Sequence, residues 1–330
     1  MNDTSRAFFD MVIIGGGPTG ILCGLECHNA GLSYLILEKG VIANSLYHFP
    51  DKMTFFSTSE RLEIGDVPFL SHNPRPTRDE ALEYYRRLVL DKELNIHTFE
   101  GVKSIERQED GSFKVTSDKT TYYSNAVVIA TGYYSQPNLM HVKGEELDKV
   151  SHYYKNPHPY IGKELLIVGA ANSACDAALE CWQKGAHVTM AIRGDGINER
   201  VKYWIKPNIE NRIEEGSIKA YFETTVSEIK EDSVILKTSS GKREIKNDFV
   251  LALTGYHPDY EFIKSAGVAI EDDEIALPVC DEENLESNVP GLYLAGVVNC
   301  GMKTHRLFIE NTRDHGEKIV KHYMLQHTIA

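Results

Sequence analysis

The chain states its organisation twice, and that internal near-repetition limits its folds more than any other feature. The first copy opens with an apolar strand running into a glycine turn, MVIIGGGPTG (Met11 to Gly20). An amphipathic helix follows and stops at Gly31, where glycine takes a left-handed cap conformation. The strand YLILEKG (Tyr34 to Gly40) comes next, and AVVIATG (Ala126 to Gly132) much later. The second copy opens with LLIVGAANSA (Leu165 to Ala174). Its helix stops at Gly185, and VTMAIRG (Val188 to Gly194) and FVLALTG (Phe249 to Gly255) follow. Before each closing strand, IERQEDGSFKV and IKEDSVILKT alternate as in a β-meander.

A continuous apolar strand, a tight glycine turn, a helix and another strand make a βαβ unit, whose strands are buried on both sheet faces. Two such units predict an α/β chain with two doubly wound, Rossmann-like dinucleotide-binding domains. A third strand-like run, GLYLAGVV (Gly291 to Val298), lacks a glycine-turn opening of its own. It is expected to return to the first domain, and a terminal helix beginning near Thr304 is expected after it. The second domain is then inserted into the first: 1–150 with 286–330, and 151–285. The length, 330 residues, suits two domains of roughly 150 residues.

The two copies differ in charge. Gly15, Gly17 and Gly20 form G-x-G-x-x-G: a tight turn, close backbone approach to a pyrophosphate, and close helix–strand packing. Pro18 suits the first helical turn, and the helix N-terminus offers N–H groups to phosphates. Glu38, 23 residues after Gly15, is placed to accept ribose hydroxyls. In the second copy the turn is Gly169, Ala170, Ala171, Asn172, Ser173, Ala174, and 24 residues after Gly169 stands Arg193. An acid there repels a 2′-phosphate, whereas an arginine binds one. The first site therefore suits an unphosphorylated ribose and the second NADPH. Lys202 is a second candidate phosphate contact, and Thr254 and Gly255 close the site. Ala171, in place of the middle glycine, puts a methyl group where backbone should approach phosphate.

Composition narrows the function. Lys plus Arg is 35 against 48 Asp plus Glu, a net charge of −13, which argues against sequence-independent nucleic-acid binding. No apolar run approaches the roughly 20 residues of a membrane helix, and the polar opening MNDTSRAFFD is not a secretory leader. Six cysteines (Cys23, Cys27, Cys175, Cys181, Cys280, Cys300) show no disulfide-framework spacing, as expected of reduced thiols in a cytoplasm. Cys23, Cys27 and His28 have no second ligand pair at usable spacing, so no metal is expected.

Adjacent sites for a bound dinucleotide and for NADPH imply hydride transfer between them. The layout GGGPTG, LEKG, ATG, a second nucleotide turn, LTG and LYLAG resembles the two-dinucleotide-fold flavoproteins, the group of thioredoxin reductase. In that group FAD occupies the first domain and NADPH the inserted one. Within it, SLYHFPDKMTFFSTSERLEIGDVPF, VSHYYKNPHPYIGK, VKYWIKPNIENRIEEGSI, TGYHPD and FIENTRDHG resemble the YpdA family, the bacillithiol disulfide reductases. The resemblance implies NADPH-dependent reduction of a low-molecular-weight disulfide through FAD, in a homodimer or homotetramer. The FAD site is expected to draw on Gly15, Gly17, Pro18, Thr19, Gly20, Glu38, Lys39, Ser45, Val102, Ala130, Thr131, Gly132, Gly296 and Val297.

Three departures from the resemblance matter. There is no C-x-x-C anywhere, so no internal dithiol relay is expected. Thr19 stands where many family members carry cysteine. Val297 follows Gly296 where the larger group has Asp. The catalytic residue is thus unknown from sequence, with Cys300 and Cys23 as candidates. An acidic disulfide such as bacillithiol disulfide carries carboxylates, for which Arg61, Arg75, Lys303, Arg306 and Arg313 are candidate cations. Alternative readings stay open. They are a ferredoxin- or flavodoxin-type NADP reductase with a protein acceptor, a flavin monooxygenase (though its F-x-G-x-x-x-H signature is missing), or a redox-sensing flavoprotein with negligible turnover.

Overall fold

The computed structural model describes residues 7–327, so the start of the polar opening segment, residues 1–6, lies outside it. The chain begins with β1 (Phe8–Ile14), α1 (Pro18–Asn29), β2 (Tyr34–Leu37), α2 (Asn44–Tyr47), α3 (Ser59–Leu62) and α4 (Arg78–Asp91). It continues through β3 (Ile96–His97), β4 (Val102–Arg107), β5 (Phe113–Ser117) and β6 (Thr121–Ile129). Next come β7 (Val150–Ser151), β8 (Glu164–Val168), α5 (Asn172–Gln183), β9 (His187–Ala191), α6 (Lys206–Glu214) and β10 (Lys219–Tyr221). The antiparallel strands β11 (Thr225–Ile229), β12 (Ser233–Thr238) and β13 (Gly241–Lys246) precede β14 (Phe249–Ala252). The chain closes with α7 (Tyr260–Ser265), β15 (Leu292–Leu294), 3₁₀ turns at Gly296–Cys300 and Ile309–Asn311, and α8 (His315–His327).

Contacts divide the chain into two compact units. The first runs to His48, from Met53 to Gln136, and from Tyr256 on; the second is Phe49–Lys52 with Pro137–Gly255. In the first unit the sheet order is β3-β2-β1-β6-β5-β4, with β15 also on β6. β1 is parallel to β2 and β6, and β15 is parallel to β6. β6 serves two partners, because its start runs antiparallel to β5 and its end parallel to β15. Strands β1 and β2 hold Met11, Val12, Ile13, Leu35 and Ile36 fully buried, as their unbroken apolar runs require. In the second unit β10-β9-β8-β14-β7 form an all-parallel sheet, and β11-β12-β13 a separate antiparallel one.

The boundaries differ from the sequence expectation at both crossings, for reasons of packing. Residues 256–285 belong with the first unit, where Ile263 and Val268 share a buried cluster with Val12, Ile14 and Leu292. Residues 137–150 belong with the second, where Met140, Val142, Leu147 and Val150 pack on Val226 and Leu236. Apart from residues 49–52, which group with the second unit, the divisions fall at 136/137 and 255/256, whereas the sequence expectation set them at 150/151 and 285/286. The run Gly291 to Val298 is strand only over Leu292–Leu294. Gly296, at φ 79°, turns it into a 3₁₀ turn. The terminal helix starts at His315, directly after Asp314, and not near Thr304, which lies in a turn.

Candidate functional site

In the first unit the strands β1, β2, β6 and β15 end in register, at Ile14, Leu37, Ile129 and Leu294. Backbone bonds carry the alignment one residue further: Gly15 N donates to Leu37 O (2.8 Å), Ala130 N to Ile14 O (2.8 Å), and Ala295 N to Ile129 O (2.9 Å). Carboxyl ends of parallel strands are where such sheets bind ligands. Gly15 holds φ 110°, and a Cβ there would sit 2.5 Å from Ala130 O, so only glycine makes this turn. Gly17 differs. It is extended (φ −77°, ψ 178°), and a Cβ added to it meets nothing within 4 Å. The protein's own packing does not require that glycine.

Gly17 is also the N-cap of α1, and no side chain caps the helix. Ile21 N–H closes the first helical bond, onto Gly17 O at 2.9 Å. A helix start left open in this way offers N–H groups and a positive dipole end to an anion. Two buried polar atoms on the surrounding elements, Thr131 Oγ1 and Asn299 Oδ1, have no hydrogen-bond partner among the described residues. An uncapped helix start, space over Gly17 and orphaned polar atoms fit a bound pyrophosphate cofactor.

Glu38 is 5 % exposed, with one carboxylate oxygen accepting from Gly16 N (2.7 Å) and the other from Gly40 N (2.8 Å). Burial raises its pKa, against the opposing pull of those N–H groups and Lys39. The second lone pair of each oxygen remains for ribose hydroxyls. Ala43, left-handed at φ 53°, donates to Gly16 O (2.8 Å) and ties the following loop to the turn. Of the other expected residues, Lys39 is exposed beside Gly101. Ser45 is half-buried on α2, and Val102 half-buried at the start of β4. Gly132 faces Val297, and Gly296 packs on the Thr19 side chain. Thr19 Oγ1 lies 3.4 Å from Thr312 Oγ1.

One positioning residue escaped the sequence reading. His315, 6 % exposed at the start of α8, accepts from Gly296 N through Nδ1 at 3.0 Å. The bond fixes the turn that packs on Thr19, and it requires the Nε2–H tautomer. Burial pushes this imidazole down to about 4, although Asp314 opposes the shift. The unfolded chain therefore binds a proton near the ordinary value of 6.5 that the folded one refuses until about 4. Stability falls as pH drops through that window, by roughly 2 kcal/mol at pH 5 from this group. Melts of His315→Asn at pH 7 and pH 5 are expected to show a smaller acid loss than the wild type. Parallel losses would remove His315 from this role. The available signal was the run DHG in FIENTRDHG, which gives no hint of its partner almost twenty residues earlier.

The candidate thiols are poorly placed for nucleophilic work. Cys23 is wholly buried on α1, and burial, with Glu26 adding, pushes it up to about 12. Cys300 is 1 % exposed and also raised by burial, with partial relief from the backbone N–H groups of Leu307 and Arg306 and from the Arg306 charge. All six cysteines are free. None is lowered toward the thiolate range of reactive cysteines.

The second unit repeats the device. Gly169 holds φ 131°, with Leu253 O 2.6 Å from where its Cβ would be. Ala171 is the uncapped, extended N-cap of α5, and Ala171 and Ser173 are exposed. Ala170 O accepts from Asn198 N (3.1 Å). Asn172 Oδ1 accepts from Lys202 N (2.9 Å), and its Nδ2 donates to Arg200 O (3.3 Å). The loop after β9 is thus latched onto the glycine turn, and Ala174 packs inside against Gly169.

Three details correct the sequence picture here. Gly15 N bonds Leu37 O and Gly169 N bonds Ala191 O, so the counterpart of Glu38 is Ile192, which is 1 % exposed. Arg193 lies one residue beyond, facing outward, because neighbouring residues in extended chain alternate sides. It makes no ion pair among the described residues, and no acid occupies the Glu38 place. Lys202 is engaged already: Nζ is 3.3 Å from Asp176 Oδ2 and lies over the Trp204 ring. The Thr254 hydroxyl is spent on Asn138 O (2.6 Å) and so braces the turn before Gly255.

Among the described residues no cluster of His, Cys, Asp and Glu could hold a metal, and no helix is long and apolar enough to cross a membrane. Residues 12–296 match the model of a family described as pyridine nucleotide-disulphide oxidoreductase. The chain is 43 % identical over 311 residues to bacilliredoxin reductase Bdr of Bacillus subtilis, covering 93 % of this chain and 95 % of that protein. Its fold superposes on the bacillithiol disulfide reductase Bdr (YpdA) of Bacillus cereus with a TM-score of 0.94. The identity is 39 %, with 97 % of this chain and 99 % of that one covered. It is also 28 % identical to a ferredoxin–NADP reductase of Geobacillus thermodenitrificans, over 88 % of this chain and 85 % of that one.

Proposed function

We propose, for a chain that belongs to the pyridine nucleotide-disulphide oxidoreductase family, that the electron acceptor is a low-molecular-weight disulfide of the bacillithiol type. The enzyme is an NADPH-dependent flavoprotein oxidoreductase with FAD as its second cofactor. In overall balance NADPH, one proton and one disulfide become NADP⁺ and two thiols, and bound FAD supplies the two-electron relay between them. The first unit holds FAD through the Gly15–Gly20 turn, Glu38 and the Gly296 turn. The second holds NADPH through the Gly169–Ala174 turn and Arg193.

The observation that carries the acceptor assignment is the near full-length likeness to a reductase named for bacillithiol disulfide. The chain's own thiols set a condition on how it works. With no C-x-x-C, every cysteine but Cys280 buried and Thr19 in the first turn, the chain has no dithiol of the C-x-x-C kind to relay electrons. With FAD bound, the flavin would supply the electrons to the disulfide, and the chain's part is to bind and orient that disulfide. The likeness to a ferredoxin–NADP reductase, which also matches most of the chain, favours a protein acceptor as the second reading.

The test is anaerobic. Flavin-loaded enzyme reduced by one equivalent of NADPH is expected to reoxidise rapidly on addition of bacillithiol disulfide, releasing two thiols per flavin. Failure to reoxidise, together with rapid reoxidation by a ferredoxin or a bacilliredoxin, would replace this reading with the protein-acceptor one.

A further inference from the structure

We propose that the cleft between α3 and the 3₁₀ turn at Ile309–Asn311 is a carboxylate-binding subsite for an acidic low-molecular-weight disulfide, with Arg61 as its principal ligand. The inference rests on the disulfide-reductase reading and deepens it by naming the group that selects the substrate. The cleft has a volume of about 390 Å³ and is lined by Arg61, Glu310, Asn311 and Arg313. It is open to solvent, so a ligand's carboxylate, and not its whole body, would be held there. Thr312 stands between two of the lining residues, and its hydroxyl is 3.4 Å from that of Thr19, the second residue of α1. One wall of the cleft is thus tied, through buried Thr312, to the first glycine turn of the same unit.

The charges in the cleft are unevenly used. The Arg61 side chain is 70 % exposed, and its one ion-pair contact among the described residues is Nη1 to Glu310 Oε2 at 3.8 Å. That is too long for a hydrogen bond, so the guanidinium fork keeps its donors for another partner. The same Glu310 oxygen is buried and accepts no hydrogen bond among the described residues. The protein's own carboxylate thus sits near the fork without being received by it. Arg313 has a different part. Its Nη1 donates to Glu60 O (3.0 Å) and its Nε to Glu310 O (3.3 Å). It pins the two walls together and leaves its charge in the cleft without an ion pair among the described residues.

Two arginines against one glutamate leave the cleft net positive. A planar carboxylate offers Arg61 the bidentate geometry that Glu310 does not. Asn311 is committed to the backbone, accepting from Phe308 N (2.6 Å) and donating to Arg306 O (2.8 Å), so recognition falls to the guanidinium. Of the cations singled out from sequence, Arg75, Lys303 and Arg306 do not line this cleft.

The experiment is calorimetric titration of oxidised, flavin-loaded enzyme with bacillithiol disulfide and with uncharged 2-hydroxyethyl disulfide. Arg61→Ala is expected to weaken bacillithiol disulfide binding about tenfold and to leave the uncharged disulfide within twofold. Arg61→Lys should recover only part, because an ammonium lacks the fork. Glu310→Gln should tighten the acidic ligand about threefold by removing its internal competitor. Flavin content reports that each variant has folded. Loss of less than twofold in Arg61→Ala, equal loss for both disulfides, or no binding by the wild type overturns the subsite. Arg61-dependent binding by a wild type that fails the anaerobic assay supports the subsite and defeats the reductase reading, which separates the two.

Discussion

A Gly17→Val protein is expected to fold and to leave purification without flavin. The added side chain enters space that the chain itself leaves empty, since a Cβ at Gly17 meets nothing within 4 Å and the backbone there is ordinary extended conformation. The same branch stands where a pyrophosphate approaches the uncapped start of α1. Loss of two charge-assisted hydrogen bonds, at roughly 1.5–3 kcal/mol each, lowers affinity on the order of 100- to 10,000-fold. The control is Gly20→Ala. Its Cβ collides with the Gly15 carbonyl oxygen, so the turn itself must break and stability falls with flavin binding. Melting apo Gly17→Val against apo wild type is the deciding measurement, because bound ligand alone raises the melting temperature. Equal apo melting temperatures with flavin absent only from the variant place Gly17 in the cofactor site. Normal flavin content in Gly17→Val would take it out.

The second large effect is on cofactor choice. Arg193→Ala is expected to raise KM for NADPH about tenfold and to leave KM for NADH within twofold. A guanidinium–phosphate hydrogen bond contributes roughly 1.5–3 kcal/mol, or about ten- to hundredfold. The exposure of Arg193 places the result at the lower end, because solvent and salt screen it. Two features confine the effect to the phosphate. Ile192 occupies the Glu38-equivalent place and brings no charge. Lys202 is held by Asp176 and cannot readily substitute. Arg193→Ala should also flatten the salt dependence of KM for NADPH. Equal rises in KM for the two nucleotides would sink the 2′-phosphate assignment.

What could be read in advance was local. Gly15 and Gly169 stand at positive φ because the strand-to-helix turn requires it, and Gly31 and Gly185 follow the helices they end. Pro18 occupies the first turn of α1. The unbroken apolar runs became buried parallel strands because a sheet covered on both faces needs apolar residues at every position. Those signals span a few residues each, and a sequence displays them directly.

The rest depended on partners far apart in the chain. Whether Cys23 or Cys300 could act as a nucleophile was a question of burial, and the packing of both elements answered it against them. Counting residues from the glycine turn set Arg193 opposite Glu38, but strand register put Ile192 there, since a step of one residue reverses the side a chain presents. The apolar residues of 256–285 are compatible with either unit, and only contact with Val12 and Ile14 assigns Ile263 and Val268. The sequence alone determined two nucleotide-binding βαβ units, because backbone conformation and hydrophobic period are short-range properties. The tertiary structure alone decided which polar groups stay exposed, such as Arg193, and which are engaged within the chain, such as Lys202 and Thr254. Desolvation and hydrogen-bond pairing are set by neighbours that only folding brings together.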